Sequence, residues 1–304
     1  MQILFIFLDG IGLGSDDANT NPFARAHMPV VQELLGNQQL VAPSAPYVGQ
    51  RATLLALDAC LGVDGLPQSA TGQAVLLTGI NVPAKLGEHF GPKPNGAVAK
   101  LLRAGNLFSQ IKDAGRSAAL LNAYPPRYFQ GIDSGRRLHS SIPLAVTSAG
   151  IRLFDKHDFF SSNALSADFT GAGWAETLGF PDAPVRSPEA AGTLLAELAA
   201  RFDFSLFEYW STDYAGHRQD MAWAVQQLED LDRVLGGLLA ASGDDLLLLL
   251  TSDHGNMEDL STRRHTTAPV PALIVGPLEL REPFSRHLTD LTGIAPAIRA
   301  SLLG

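Results

Sequence analysis

The chain has 304 residues, 46% of them apolar, and a formal net charge of −9. Its length allows one large domain or two unequal ones, and its composition allows a sizeable core. So acidic a chain is not built to coat nucleic acid or an anionic membrane. Any phosphate it binds must be held locally, by metal ions or a few arginines.

The opening "MQILFIFLDG" is a short apolar run with no basic segment before it, and Asp9 interrupts it. It reads as a first strand and not as a signal peptide. No apolar run reaches membrane-spanning length. The single cysteine, Cys60, permits no intrachain disulfide and fits a reducing compartment. The expected location is the cytoplasm, with neither a nucleic-acid nor a membrane partner.

Further apolar runs follow at 117–124, 204–210, 245–252 and 270–276. They are continuously apolar, as suits strands buried on both faces of a sheet. Helical patterns alternate with them. "HMPVVQELLG" carries Pro29 near its start and Gly36 past its end, and "NLFSQIKDAG" closes in the same way at Gly115. "SPEAAGTLLAELAARF" opens with Ser187 as N-cap and Pro188 at its first position. "DMAWAVQQLEDLDRVLGGLLA" is long and amphipathic. The alternation predicts an α/β fold: a doubly wound, mostly parallel sheet with helices on both faces. Residues 125–184, dense in aromatics, glycines and prolines, break the rhythm. They read as a small inserted cap over a core formed by 1–124 and 185–304.

In such a sheet, ligands bind at the carboxyl ends of the strands. The first strand is followed by Asp9, the 204–210 run by Asp213 and His217, and the leucine run by Asp253 and His254. His265 stands just before the 270–276 run. Each alone has a plain structural reading: a turn aspartate, a solvated i,i+4 pair, a loop histidine. Together, three aspartates and three histidines at one rim form a ligand set for zinc or manganese, and six ligands suit a pair of ions. A nucleophile is offered by "GLPQSATGQAVLLTG", where Ser69 opens a helical pattern and Gly72 permits close backbone approach. The structural alternative for Ser69 is a helix N-cap.

The stretches "FLDGIGLG", "SATGQAVLLTG", "TDYAGH", "TSDHGNMED", "HTTAPVPALIVG" and "LTDLTGIAPAIRASLLG" resemble the alkaline phosphatase superfamily. Within it they resemble the metalloenzyme branch of cofactor-independent phosphoglycerate mutase and phosphopentomutase. The resemblance implies two divalent metal ions per chain, manganese or zinc. Asp213, His217 and His265 would hold one; Asp9, Asp253, His254 and the nucleophile would hold the other. It implies Ser69 as that nucleophile, with Thr71 as the alternative two residues on. The implied activity is phosphoryl transfer through a phosphoserine, as phosphatase or phosphomutase on a small phosphorylated metabolite. The alternatives are phosphoglycerate mutase proper, or a metal- or phosphate-ligand sensor that has kept the fold. The mutase carries a larger insertion whose arginines grip the substrate. Here Arg127, Arg136, Arg137 and His139 lie in the shorter segment, and Arg263 and Arg264 stand beside His265. Arg136, Arg137, Arg263 and Arg264 are the candidate substrate contacts. "SATGQ" lacks the Cys/Ser-x-Pro-x-Arg context of a sulfatase.

Overall fold

The computed structural model describes residues 1–304. One seven-stranded sheet organises the chain: β1 (Gln2–Leu8), β2 (Tyr47–Val48), β3 (Ala52–Leu57), β4 (Ala118–Leu120), β5 (Phe204–Tyr209), β6 (Leu246–Thr251) and β7 (Val270–Val275). Their spatial order is β2-β3-β7-β6-β1-β5-β4. β1 pairs in parallel with both β5 and β6, and β4 continues the parallel set beyond β5. β7 is antiparallel to β6 and to β3, and β2 is antiparallel to β3. The fold is thus α/β with a mixed sheet in which β1, β3, β4, β5 and β6 point one way.

Two findings differ from the sequence reading. "ATLLAL" forms β3, a strand beyond those expected from the apolar runs. β7 runs opposite to β6, and this reversal matters for the site: it brings the start of β7, not its end, to the rim where β6 ends.

Period-two alternation divides the core between the two faces. Leu4, Ile6 and Leu8 of β1 and Leu246, Leu248 and Leu250 of β6 face one layer, with the helices Pro188–Ala199 and Met221–Ala241 packed over it. Ile3, Phe5, Phe7, Leu247 and Leu249 face the other, covered by helices that include Ser69–Thr78 and Ile294–Leu303. The helix ends follow their local chemistry. Asn106 and Ser109 form a reciprocal capping box, Ser187 caps Pro188–Ala199, and Gly36 and Gly115 take positive φ just past their helices.

Residues 125–184 hold four short helices and none of the sheet strands. Ile142, Ala145 and Val146 of the helix Ser141–Ser148 join the second core layer. Phe159, Ala164 and Trp174 form a small cluster of their own. No helix of the chain is long and apolar enough to cross a membrane.

Candidate active site

The leucine strand β6 is buried along its whole length and delivers Thr251, Ser252, Asp253 and His254, all with no exposed surface, to the rim. Buried charged and imidazole groups need partners. These find theirs in segments that leave the neighbouring strands at the same rim. Asp9 and Gly10 follow β1. Trp210 follows β5 and leads into the helix Ser211–Arg218, which carries Asp213 and His217. His265 precedes the antiparallel β7, and its Nδ1 lies 2.8 Å from the Pro67 carbonyl, which fixes the ring. Gly10 takes a φ of +68°, and a Cβ there would lie 2.6 Å from Asp213 Oδ1, so only glycine lets the two segments meet.

All six acid and imidazole residues converge. His217 Nε2 is 3.3 Å from Asp213 Oδ2, and His265 Nε2 is 3.7 Å from Asp213 Oδ1. His254 Nε2 is 3.5 Å from Asp9 Oδ1 and 3.7 Å from Asp253 Oδ1. The rings of His254 and His265 stack with centroids 3.7 Å apart. Two ligand groups emerge, Asp213–His217–His265 and Asp9–Asp213–His254, with Asp213 in both.

Ser69 stands at the first position of the helix Ser69–Thr78, and Gln68, not Ser69, occupies the N-cap. The Ser69 hydroxyl therefore does not cap the helix; its Oγ lies 3.0 Å from His254 Nε2. Thr71 turns away, its hydroxyl donating to the carbonyls of Gln68 and Phe90. A Cβ on Gly72 would lie 2.8 Å from the Asp253 carbonyl oxygen, so glycine lets this helix sit directly on the Asp253 segment.

The donor set fits divalent cations on the structure's own terms. Asp9 Oδ1 is buried without a hydrogen-bond partner. Burial, then the charges of Asp253 and Asp213, push the Asp9 carboxyl well up. Burial and Asp213 push Asp253 up to about 8. Burial and the neighbouring His265 hold His254 down at about 3, so its imidazole is neutral and has a lone pair to offer. Burial also lowers His265. Asp213, despite burial, is held down at about 2 by hydrogen bonds from His217 and Asn256, and it raises His217 in turn. Crowded carboxyls beside the lowered imidazoles of His254 and His265 are a donor set that a cation pair would satisfy.

A pH prediction follows for the metal-free chain. A carboxyl whose proton is held more tightly in the folded state stabilises the fold only while protonated. For Asp253 that contribution is complete below about 3.8 and is lost as pH rises through about 8. The metal-free chain should therefore melt at falling temperature across that window. Saturating manganese or zinc at about 1,000 times Kd should restore about 4 kcal/mol, on the order of 8 °C. Differential scanning fluorimetry across pH, with and without metal, checks both signs.

Three further side chains support this site, none of them picked out from the sequence. Gln73, one turn after Ser69, donates to Asp253 Oδ2 at 3.2 Å. Asn256 donates to Asp213 Oδ1 at 2.7 Å. Glu258, buried, accepts from the Gly12 amide at 2.8 Å, the Asn256 amide at 2.7 Å and the Thr266 hydroxyl. It thereby ties together the segments after β1, after β6 and before β7. Glu258→Ala would leave buried amides unsatisfied, costing about 3 kcal/mol of stability. It should also weaken metal binding about 10- to 100-fold, as outer partners of metal ligands do. Urea unfolding and metal titration of the variant measure the two effects.

The arginines separate. Arg263 is exposed, donates to Gln219 and lends its carbonyl to His217 Nδ1 at 2.7 Å. Arg264 and Arg136 are exposed and their guanidinium groups make no hydrogen bond within the chain. Arg137 lies over the Tyr128 ring at 4.8 Å, and His139 Nδ1 is 2.8 Å from the Tyr128 hydroxyl. Arg127 and Arg137 both line a cleft of about 540 Å³ between residues 122–178 and the end of β5. At its wall Glu208, buried, has its carboxyl pushed up to about 7 by burial. The site thus combines a hydroxyl, two ligand clusters and a lined cleft at one rim.

Residues 183–303 match the sequence profile of the Metalloenzyme superfamily. That match covers 121 of the 304 residues. Over 80 residues it is 40% identical to a 2,3-bisphosphoglycerate-independent phosphoglycerate mutase of Methanothermobacter thermautotrophicus, covering 26% of this chain and 18% of that enzyme. The aligned part is thus a small fraction of that relative's length. Two solved structures share the fold over nearly the whole chain. One is a protein from Pyrococcus horikoshii, with a TM-score of 0.58, 13% identity, and coverage of 99% of this chain and 97% of that one. The other is an alkaline phosphatase from the Antarctic bacterium TAB5, with a TM-score of 0.55, 13% identity and the same coverage. The matched stretch carries Asp213, His217, Asp253, His254 and His265, five of the six candidate metal ligands.

Proposed function

We propose that the chain catalyses phosphoryl transfer on a small phosphorylated metabolite, with two divalent metal ions, manganese or zinc, and a phosphoserine at Ser69. One observation carries this reading: a serine hydroxyl 3.0 Å from His254 Nε2, amid six converging carboxylate and imidazole groups. The placement of Thr71, turned to the Gln68 and Phe90 carbonyls, supports Ser69 over its neighbour.

Asp213, His217 and His265 would hold one ion, and Asp9, Asp253, His254 and Ser69 the other. Bound, such ions neutralise phosphate oxygens and lower the pKa of a hydroxyl. The chain supplies the rest. Packing of the Ser69 helix against the Asp253 segment sets the direction of attack. The first amides of that helix have no intrahelical partner and suit an anion, although the Thr71 amide is already bonded to the Phe90 carbonyl. Ser69 Oγ forms a bond to phosphorus as the bond to the substrate's alcohol oxygen breaks, and the alcohol leaves with a proton. Water then releases phosphate in a phosphatase, or the retained alcohol takes it back at another oxygen in a phosphomutase. Residues 125–184 act in this reading as a cap, and the time they retain the alcohol decides between the two.

The kinship to enzymes named as mutases supports the mutase branch, whereas phosphoglycerate itself is one candidate among small phosphoesters. A colorimetric phosphatase assay on manganese- or zinc-loaded protein, run beside a coupled mutase assay, tests the reading. Phosphate release or isomerisation is the expected result. Silence in both, across a phosphometabolite panel, would leave the sensor alternative standing.

A further inference from the structure

The cleft beside the metal residues has features that phosphoryl transfer alone does not require. None of the metal residues lines it, but short chain links join its walls to the reacting centre on two sides. On one, Tyr209 at the end of β5 accepts from the Asp9 amide at 3.0 Å, and Trp210 leads directly into the helix of Asp213. On the other, the cleft residue Ser140 precedes Ser141, whose hydroxyl donates to the Ala70 carbonyl at 3.0 Å, next to Ser69. Four aromatic side chains, Tyr124, Tyr128, Trp174 and Trp210, stand in its walls.

Glu208 is 8% exposed. Its backbone is clamped on both sides by the Asn122 side chain, which donates to its carbonyl at 2.8 Å and accepts from its amide at 2.7 Å. Its Oε2 accepts from the Tyr124 hydroxyl at 3.3 Å, and no group of the chain donates to its Oε1. A rigidly held, nearly buried carboxyl with a spare acceptor at a cavity wall is a ready receptor for a donor on a ligand.

We propose, resting on the phosphoryl-transfer reading, that this cleft binds the organic half of the substrate, that this half is a flat, ring-bearing, hydrogen-bond-donating group as in a nucleoside monophosphate, and that Glu208 selects it. The aromatic walls and the Arg137 guanidinium, lying 4.8 Å from the Tyr128 ring centre, offer stacking surfaces to a planar ring. The volume of about 540 Å³ suits a molecule of that size and leaves a three-carbon acid loosely held. A carboxylate on the substrate would meet the Glu208 carboxyl, whereas a ribose hydroxyl or a ring amine would donate to it.

The test separates the cleft from the reaction by using ligands without phosphate. Metal-free full-length protein is titrated with adenosine and, separately, with glycerate, following tryptophan fluorescence. Saturable binding of adenosine, at least about tenfold tighter than glycerate, is expected. Glu208→Ala should weaken adenosine at least about tenfold, and Glu208→Gln, which keeps an acceptor oxygen, should recover part of the loss. Trp210 is 51% exposed, so Trp210→Ala spares the fold and should also weaken binding. Preference for glycerate would overturn the proposal and assign the cleft to Arg127 and Arg137 as a carboxylate site. Adenosine binding indifferent to both positions, or absent, would overturn it as well. If adenosine binds as expected yet the metal-loaded protein transfers no phosphate, the reaction fails while the cleft assignment stands.

Discussion

Asp213→Ala should lower bound metal from two ions per chain to less than one and reduce turnover by about a thousandfold or more. Asp213 is the one residue that belongs to both ligand clusters, within 3.3 Å of His217 and 3.7 Å of His265 on one side and grouped with Asp9 and His254 on the other. Its loss removes a charge that each ion would need, and a thousandfold is about 4 kcal/mol of lost transition-state stabilisation. The fold should persist. Asp213 also raises the Asp9 and Asp253 carboxyls, so removing it relieves repulsion in the metal-free chain and offsets the lost Asn256 hydrogen bond. Asp213→Asn, which keeps an acceptor for Asn256 without the charge, should fail nearly as badly if charge is what matters. Elemental analysis of metal-reconstituted protein and steady-state kinetics read the two effects. Full metal content in either variant would break the assignment of Asp213 as a shared ligand.

Ser69→Ala should abolish measurable turnover, again by about a thousandfold or more, while leaving stability close to the parent's and both ions bound, one of them more weakly through Asp9, Asp253 and His254 alone. The hydroxyl is the atom that would carry the phosphoryl group, and the neighbouring hydroxyls are engaged elsewhere: Thr71 with the Gln68 and Phe90 carbonyls, and Ser252 with the Ile11 amide and the His254 carbonyl. Stability should change little, because Gln68 rather than Ser69 holds the N-cap position. The loss amounts to one hydrogen bond with His254, about 1 kcal/mol. Thermal melting of the variant with and without metal separates a chemical defect from a folding defect.

The reach of the sequence can be judged from particular residues. Asp9, Asp253 and His254 were legible because a buried parallel strand must stop before a charged residue, and its carboxyl end is where ligands gather. His265 was legible as a residue but not as a geometry. It precedes its strand, so in a parallel sheet it would lie at the opposite rim; the reversal of β7 brings it to the site. Strand direction is set by pairing between distant segments, and local apolar content carries no sign of it. β3 escaped because "ATLLAL" is as compatible with a helix as with a strand, and pairing with β7 decides it. Glu258 stands in the "HGNMED" stretch, where an acid after a turn reads as solvated. Only the folded chain shows it receiving amides from two segments more than 240 residues apart. Glu208 stands inside the apolar 204–210 run, and its role depends on a cleft lined by residues from 122 to 178.

A covalent phosphoserine is the central step of the proposed reaction, and peptide mass spectrometry tests it most directly. Metal-loaded protein is mixed with a turned-over phosphoester, quenched in acid within the first turnovers, digested and mapped. Phosphate on Ser69 of the peptide that contains "SATGQ" is the predicted result. Phosphate on Thr71 would move the nucleophile by two residues and contradict the placement of these hydroxyls in the structure. No phosphate on either residue, together with normal turnover by Ser69→Ala, would contradict the covalent mechanism itself.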